Sequence, residues 1–213
     1  MGKQRGIFIA FEGIDGSGKS TQAKLLCEKL IEQGHKVYST FEPTDNAIGK
    51  MIRSVFSRKM KASNETVAAL FLADRLEHLL NHDNGLVQKI KDGFIVVSDR
   101  YYLSSYAYHG TFMDMDWVIQ SNAMCANILR PDLNIYIDIS PDVSMNRIKE
   151  NRATTELYET LENLKNVYGK YDEAIKKVKS EENIARINGN RNTDEIASDV
   201  WNVTQNLLHE KWK

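Results

Sequence analysis

From residue 13 the chain reads Gly13-Ile14-Asp15-Gly16-Ser17-Gly18-Lys19-Ser20, a G-x-x-x-x-G-K-[ST] spacing that sets three glycines ahead of a lysine and a hydroxyl. Glycines let the backbone curl so that successive N–H groups face one point, and the positive end of a following helix reinforces that point. Such a loop gathers the phosphates of a nucleoside triphosphate. Lys19 supplies a point charge for the β- and γ-phosphates and Ser20 a hydroxyl for Mg²⁺. Gly13, Gly16, Ser17, Gly18 and Thr21 complete the cradle. Both flanks fit the motif, with apolar Ile7-Phe8-Ile9-Ala10-Phe11 before it and a helical pattern from Ser20 to Gln33 after it. GTPases, ATPases and small-molecule kinases all use such a loop. No Asn-Lys-x-Asp sequence accompanies it, which disfavours a guanine-reading switch.

A second group of residues suits a phosphate acceptor. Ser98-Asp99-Arg100-Tyr101 ends an apolar run and should lie at the carboxyl edge of a parallel sheet, where open α/β folds bind ligands. Asp99 can act on the Mg²⁺ shell, and Arg100 on an anionic acceptor or the migrating phosphoryl group. Tyr101 to Gly110 holds four tyrosines, two serines and His109, which suits a planar hydrogen-bonding ligand, although tyrosines at helical spacing also build core. Phe71 and Arg75 stand four apart in a helical pattern and share a face, so an aromatic plane and a rigid donor fork could hold a nucleobase. Asp74, His78 and His82 recur at the same spacing; with no second cluster to complete a metal site, they read as a solvated face. Arg58-Lys59-Met60-Lys61 reads as a solvated basic turn, not a nucleic-acid site.

These groups need a scaffold, and the apolar pattern supplies one. Short runs at Gly6–Phe11, Lys36–Thr40, Phe94–Ser98, Asn134–Ile139 and Asn183–Ile187 predict strands. Helical patterns at Ser20–Gln33, Asn64–Asn81, Trp117–Leu129, Val143–Glu150 and Leu157–Val178 separate them, and another at Thr193–His209 follows the last. That alternation predicts an α/β fold with a parallel sheet. No repeat or Pro/Ser-rich linker interrupts the 213 residues, so one domain over 1–213 is expected, with a mobile polar loop from Glu150 to Glu156. With 42% hydrophobic and 27% charged residues and a net charge of -1, neither a disordered chain nor bulk coating of nucleic acid is expected. Cys27 and Cys125 sit among apolar residues and predict two reduced, buried thiols. The N-terminal apolar run is too brief for a signal sequence, and no stretch nears 18 apolar residues, so no membrane association and a cytoplasmic location are expected.

Taken in order, Phe11-Glu12-Gly13-Ile14-Asp15-Gly16-Ser17-Gly18-Lys19-Ser20-Thr21-Gln22, Glu42-Pro43, Asp99-Arg100-Tyr101 and Ala107-Tyr108 resemble the thymidylate kinase family over essentially the whole chain. The resemblance implies a three-layer P-loop kinase fold, a five-stranded parallel sheet flanked by helices, in a homodimer. It implies transfer of a phosphoryl group from Mg²⁺-ATP to dTMP, giving ADP and dTDP. By position it implies that Asp15 bonds the acceptor's 3′-hydroxyl, Phe71 stacks on thymine and Arg75 donates to O4. Arg53 and Arg100 would grip the acceptor phosphate, Tyr108 would pack on the deoxyribose, and Ser105 and His109 would line the base. A mobile, arginine-bearing lid is implied around residues 147–159. Because positions 14 to 17 hold no Arg or Lys, the remaining positive charge falls to that lid, where Arg152 sits in the loop-like stretch and Arg147 on a helix. Lys19, Arg100, Arg152 and Asp15 are thus the expected catalytic residues, with Ser20 and Asp99 at the metal.

The chain departs from the family at three places. His109 stands where bacterial members commonly carry Gln, Phe41 where Arg precedes Glu-Pro, and Leu157 where eukaryotic members have Arg in Glu-Arg-Tyr-Glu. A different pyrimidine acceptor, such as dUMP, and a nucleotide-binding regulator without transfer activity remain open at this point. A nucleoside acceptor is less suitable, since it has no phosphate to engage both Arg53 and Arg100. Asn188-Gly189-Asn190-Arg191-Asn192 falls where this fold contacts the donor adenine, and equally reads as a turn with an N-cap.

Overall fold

The computed structural model describes residues 5–151 and 160–212. Among these residues five strands form one all-parallel sheet: β1 (Ile7–Glu12), β2 (Val37–Phe41), β3 (Ile95–Asp99), β4 (Leu133–Asp138) and β5 (Ile184–Asn188), in the order β2-β3-β1-β4-β5. All five lie within one residue of the runs expected from sequence. Parallel strands need long crossovers, and helices provide them: α1 (Lys19–Glu32), α2 (Ala47–Phe56), α3 (Asn64–Leu80), α4 (Leu86–Lys91), α5 (Tyr102–His109), α6 (Met115–Ile128), α7 (Pro141–Asn151), α8 (Leu161–Val178) and α9 (Thr193–Lys211).

The two-sided burial of β1 explains its unbroken apolar run. Ile7, Ile9 and Phe11 pack with Ala23, Leu26 and Leu30 of α1 and Ile196, Val200 and Leu207 of α9. Phe8 and Ala10 point the other way, into a core completed by α3 through α8. Cys27 and Cys125 are both free and buried. No helix among the described residues is long and apolar enough to cross a membrane.

Three helices lack a sequence expectation: α2, α4 and α5. The tyrosine-rich α5 is buried nearly all round: Tyr101 at its N-cap and Tyr102 and Tyr106 within it belong to the core, and Tyr108 alone of the four tyrosines lines the cleft described below. The expected helix from Leu157 begins at Leu161, where the Thr160 side chain accepts from the Asn163 amide as N-cap; residues 157–159 lie outside the described residues.

Sheet register gathers the chemistry on one edge. Phe11 pairs with Asp99 across β1–β3, and Phe41 pairs with Asp99 across β2–β3. The glycine-rich loop, the Asp99–Arg100 turn and the Glu42-Pro43 segment therefore leave adjacent strands at the same carboxyl end. The Glu42–Pro43 peptide is cis.

Candidate active site

The loop from Gly13 lies close enough against α7 to exclude a side chain at Gly16. At Gly16 the backbone is left-handed, with φ +74, and a Cβ there would sit 2.7 Å from the Ser144 carbonyl oxygen. α7 packs directly on this turn, which holds position 16 to glycine. Ser144 donates to the Asp15 carbonyl, and Arg147 donates to the carbonyls of Ser17 (3.4 Å) and Gly189 (2.9 Å). Lys19 is only 6% exposed, with Nζ 3.4 Å from the Ile14 carbonyl and 3.7 Å from Asp15 Oδ1. Burial, then the Arg100 charge, lowers its pKa, while Asp15, Asp99 and Glu12 hold it cationic.

Ser20 donates to Asp99 Oδ2, and Asp99 Oδ1 is buried without a partner. Two hard oxygen ligands therefore sit together beside the loop, a donor set that fits Mg²⁺.

Two clefts meet here. One, of about 590 Å³, is lined by the loop itself, Arg147, Arg191 and Asn192. The other, of about 980 Å³, is lined by Arg53, Phe71, Arg100, Ser105, Tyr108 and His109 among others. Asp15 lines both. The Asn188–Asn192 segment serves two ends: Arg191 and Asn192 line the first cleft, and Asn192 also forms a capping box with Glu195 at the start of α9. Arg147, the arginine set second by sequence, lines the first cleft, whereas Arg152 lies outside the described residues.

Arg100 stands between the clefts in a left-handed conformation, φ +77, which costs a non-glycine residue about 1–3 kcal/mol and persists only where its surroundings enforce it. Its amide donates to the Phe11 carbonyl at 2.9 Å and its carbonyl accepts from the Ser98 hydroxyl at 2.8 Å. The guanidinium donates to Asp15, to the Tyr108 hydroxyl at 3.3 Å and to Ser104 at 3.1 Å. Tyr108 donates in turn to Asp15 Oδ2 at 2.8 Å, and burial keeps its phenol protonated.

In the larger cleft, the rings of Phe71 and His109 lie 5.2 Å apart. Burial, then the Arg75 charge, pushes the His109 pKa down to about 3, so its imidazole is neutral. Ser105 Oγ is buried without a partner. Arg53 donates to the Pro43 carbonyl at 2.8 Å and to Asp45 at 2.9 Å; the latter, an exposed pair, is worth little and is readily exchanged for a phosphate. Arg58 and Lys59, read from sequence as a solvated turn, are exposed but also line this cleft.

Arg75 is placed differently from the other expected residues. It is 1% exposed, does not line the cleft, and gives Nε and Nη2 to Glu42 Oε2 (2.9 and 2.7 Å) and Nη1 to Asn122 (2.5 Å). Two of its five N–H groups remain. Glu42 also accepts from His78 Nδ1 at 3.1 Å, and although burial opposes its charge, Arg75 and His78 leave its pKa below the ordinary value. The solvated-face reading of Asp74, His78 and His82 therefore holds only for His82. Asp74 and His78 are buried, Asp74 receiving the Thr44 amide and hydroxyl at 2.7 and 2.6 Å; helical spacing could not reveal that β2 and the cis-proline turn cover this face. Removing Glu42 strands the buried guanidinium, so Glu42→Ala should cost about 3–5 kcal/mol of stability in urea unfolding. A loss below about 1 kcal/mol would mean that Arg75 is solvated from the cleft.

Sequence comparison is consistent with this site. A family model described as thymidylate kinase matches residues 11–200. A probable thymidylate kinase of Pyrococcus horikoshii is 42% identical over 164 residues, 74% of this chain and 77% of that protein. A probable thymidylate kinase of Thermococcus kodakarensis is 34% identical over 96% of this chain and all of its own length. A thymidylate kinase of Leptospira interrogans is 33% identical over 95% of this chain and 96% of its own.

Proposed function

This chain belongs to the thymidylate kinase family, and from that premise we propose that it transfers the γ-phosphoryl group of ATP to dTMP, giving ADP and dTDP. The observation that carries the reading is the meeting of two nucleotide-sized clefts at Asp15, beneath Lys19 and Arg100. Phosphoryl transfer asks the protein for positioning and charge, and no covalent intermediate. The loop and Lys19 would hold the donor phosphates, with Arg147 and Arg191 along that cleft. Arg53 and Arg100 would hold the acceptor phosphate, Asp15 its 3′-hydroxyl and Tyr108 its deoxyribose. Phe71, Ser105 and His109 would surround the base, with Arg75 held behind that wall by Glu42 and Asn122. Ser20 and Asp99 would hold Mg²⁺, which when bound would supply positive charge to offset that of the nucleotide phosphates.

We further propose a single domain over 1–213 with an arginine-bearing lid around 147–159, in which Arg152 joins Lys19 and Arg100 around the migrating group. A homodimer is supported by Leu80, Trp117 and Met124, apolar side chains 58%, 50% and 62% exposed on α3 and α6, two helices that pack side by side. The two buried thiols fit a reducing compartment, the cytoplasm.

Offering dTMP, dUMP, dCMP, UMP and thymidine singly with Mg²⁺-ATP tests the reading. The expected result is strong ADP release with dTMP, and a selectivity that stays flat from pH 6 to pH 9, since His109 titrates far below that range at about 3. Turnover that prefers another acceptor would retire dTMP as substrate.

A further inference from the structure

Beneath the glycine-rich loop lies a carboxyl group that the transfer chemistry has not used. Glu12, the last residue of β1, is fully buried. Its Oε1 accepts the Tyr101 amide at 2.9 Å, and its Oε2 accepts the hydroxyls of Ser104 at 2.5 Å and Tyr171 at 3.0 Å. Ser104 accepts in turn from Arg100 Nη1 at 3.1 Å, so two hydrogen bonds connect guanidinium to carboxylate. The Tyr101 amide is the peptide group that follows the strained Arg100 backbone, and Glu12 fixes it. Tyr171, from α8, reaches the loop as well: the Gly13 amide donates to its hydroxyl at 3.3 Å.

We propose that Glu12 is a positioning residue for phosphoryl transfer, holding the Arg100 guanidinium and Gly13 in register with α8 through Ser104, the Tyr101 amide and Tyr171. The inference rests on the dTMP kinase reading of the site. Three donors converge on two oxygens, an arrangement that suits a carboxylate; on a protonated carboxyl one of the two hydroxyls must accept instead of donate, and the link to Arg100 loses its charge assistance. A small displacement of this kind is costly, because a misplacement of about 1 Å can lower turnover by about 100-fold.

The groups facing Glu12 are Lys19 of α1, Arg100 of the β3–α5 turn, Tyr171 of α8 and Tyr136, its neighbour across the β1–β4 ladder. Burial pushes the Glu12 pKa up to about 7, although Ser104, Arg100, the Tyr101 amide and Tyr171 all favour the charged form. Activity and stability should therefore respond to pH in opposite directions. The ionised form prevails above about 7, so kcat should fall as pH drops through that value. The folded carboxyl keeps its proton up to about 7, against an ordinary value of 4.5, so stability should fall as pH rises across that window.

The test compares Glu12→Gln with the parent enzyme under saturating ATP and dTMP from pH 5.5 to pH 9, alongside thermal melts. At pH 8, kcat should be lower by about 10- to 100-fold with both KM values within about threefold. The step near 7 should vanish from the kcat profile and from the melts, leaving in the kcat profile only the acceptor phosphate's own ionisation near about 6. Tyr171→Phe, which deletes one hydroxyl, should lower kcat in the same way, and it carries the test alone if Glu12→Gln does not fold. A merely structural Glu12 would lower the melting temperature and leave the pH profile of kcat unmoved, and that result would overturn the proposal. So would a kcat within about twofold of the parent, or a loss confined to KM. A parent without dTMP-dependent turnover would overturn the kinase reading and this inference together, whereas a normal parent with an unaffected variant overturns the inference alone.

Discussion

Lys19→Ala should lower kcat for dTMP-dependent ADP formation by about 10³-fold while leaving the fold intact, since removing one preorganised charge from a phosphoryl-transfer site costs on that order. Lys19 Nζ is buried, and among the described residues it has a weak contact to the Ile14 carbonyl at 3.4 Å and an ion pair to Asp15 at 3.7 Å. Its charge is therefore available to a ligand, and no structural bond of consequence is lost with it. The pH linkage agrees. A lysine whose pKa is lowered by burial detracts from stability at neutral pH, so the alanine variant should melt no lower than the parent at pH 7. Unchanged melting with collapsed turnover would separate chemistry from folding. Turnover within about tenfold of the parent would remove Lys19 from the mechanism.

Arg100→Ala should produce a loss of similar size, about 10²- to 10³-fold in kcat, with a higher KM for dTMP. Arg100 does two things at once. Its fork holds Asp15, Tyr108 and Ser104 between the two clefts, and its charge stands where the acceptor phosphate and the migrating group would meet. Arg100→Lys keeps the charge and loses the fork, so it should recover only a small part of the activity. A lysine variant equal to the parent would show that charge alone matters at this position. Steady-state kinetics in both substrates reads these outcomes directly.

The strands and the loop were legible in the sequence because their signals are local. A continuous apolar run such as Ile7 to Phe11, ended by a glycine-rich turn, fits a strand covered on both faces, and the loop's glycines, lysine and serine all fall within eight residues, Gly13 to Ser20. Arg53, Phe71, Ser105, Tyr108 and His109 line one cleft. What escaped was long-range polar pairing. Glu12 lies 89 residues from Tyr101 and 159 from Tyr171 in sequence, and Glu42 lies 33 from Arg75. No periodicity announces such partners. The same blindness made Asp74 and His78 look solvated, and it hid how deeply Arg75 is engaged by Glu42 and Asn122. Arg147 was visible on its helix, but its reach to the Ser17 and Gly189 carbonyls depends on α7 lying against Gly16, a packing that only the fold supplies.

The most direct test of the kinase assignment is to follow Mg²⁺-ATP and dTMP with the purified protein by ³¹P nuclear magnetic resonance. ADP and dTDP should appear in equal amounts, with no ADP when dTMP is left out. ADP formed at the same rate with and without dTMP, or formed without dTDP, would contradict the assignment.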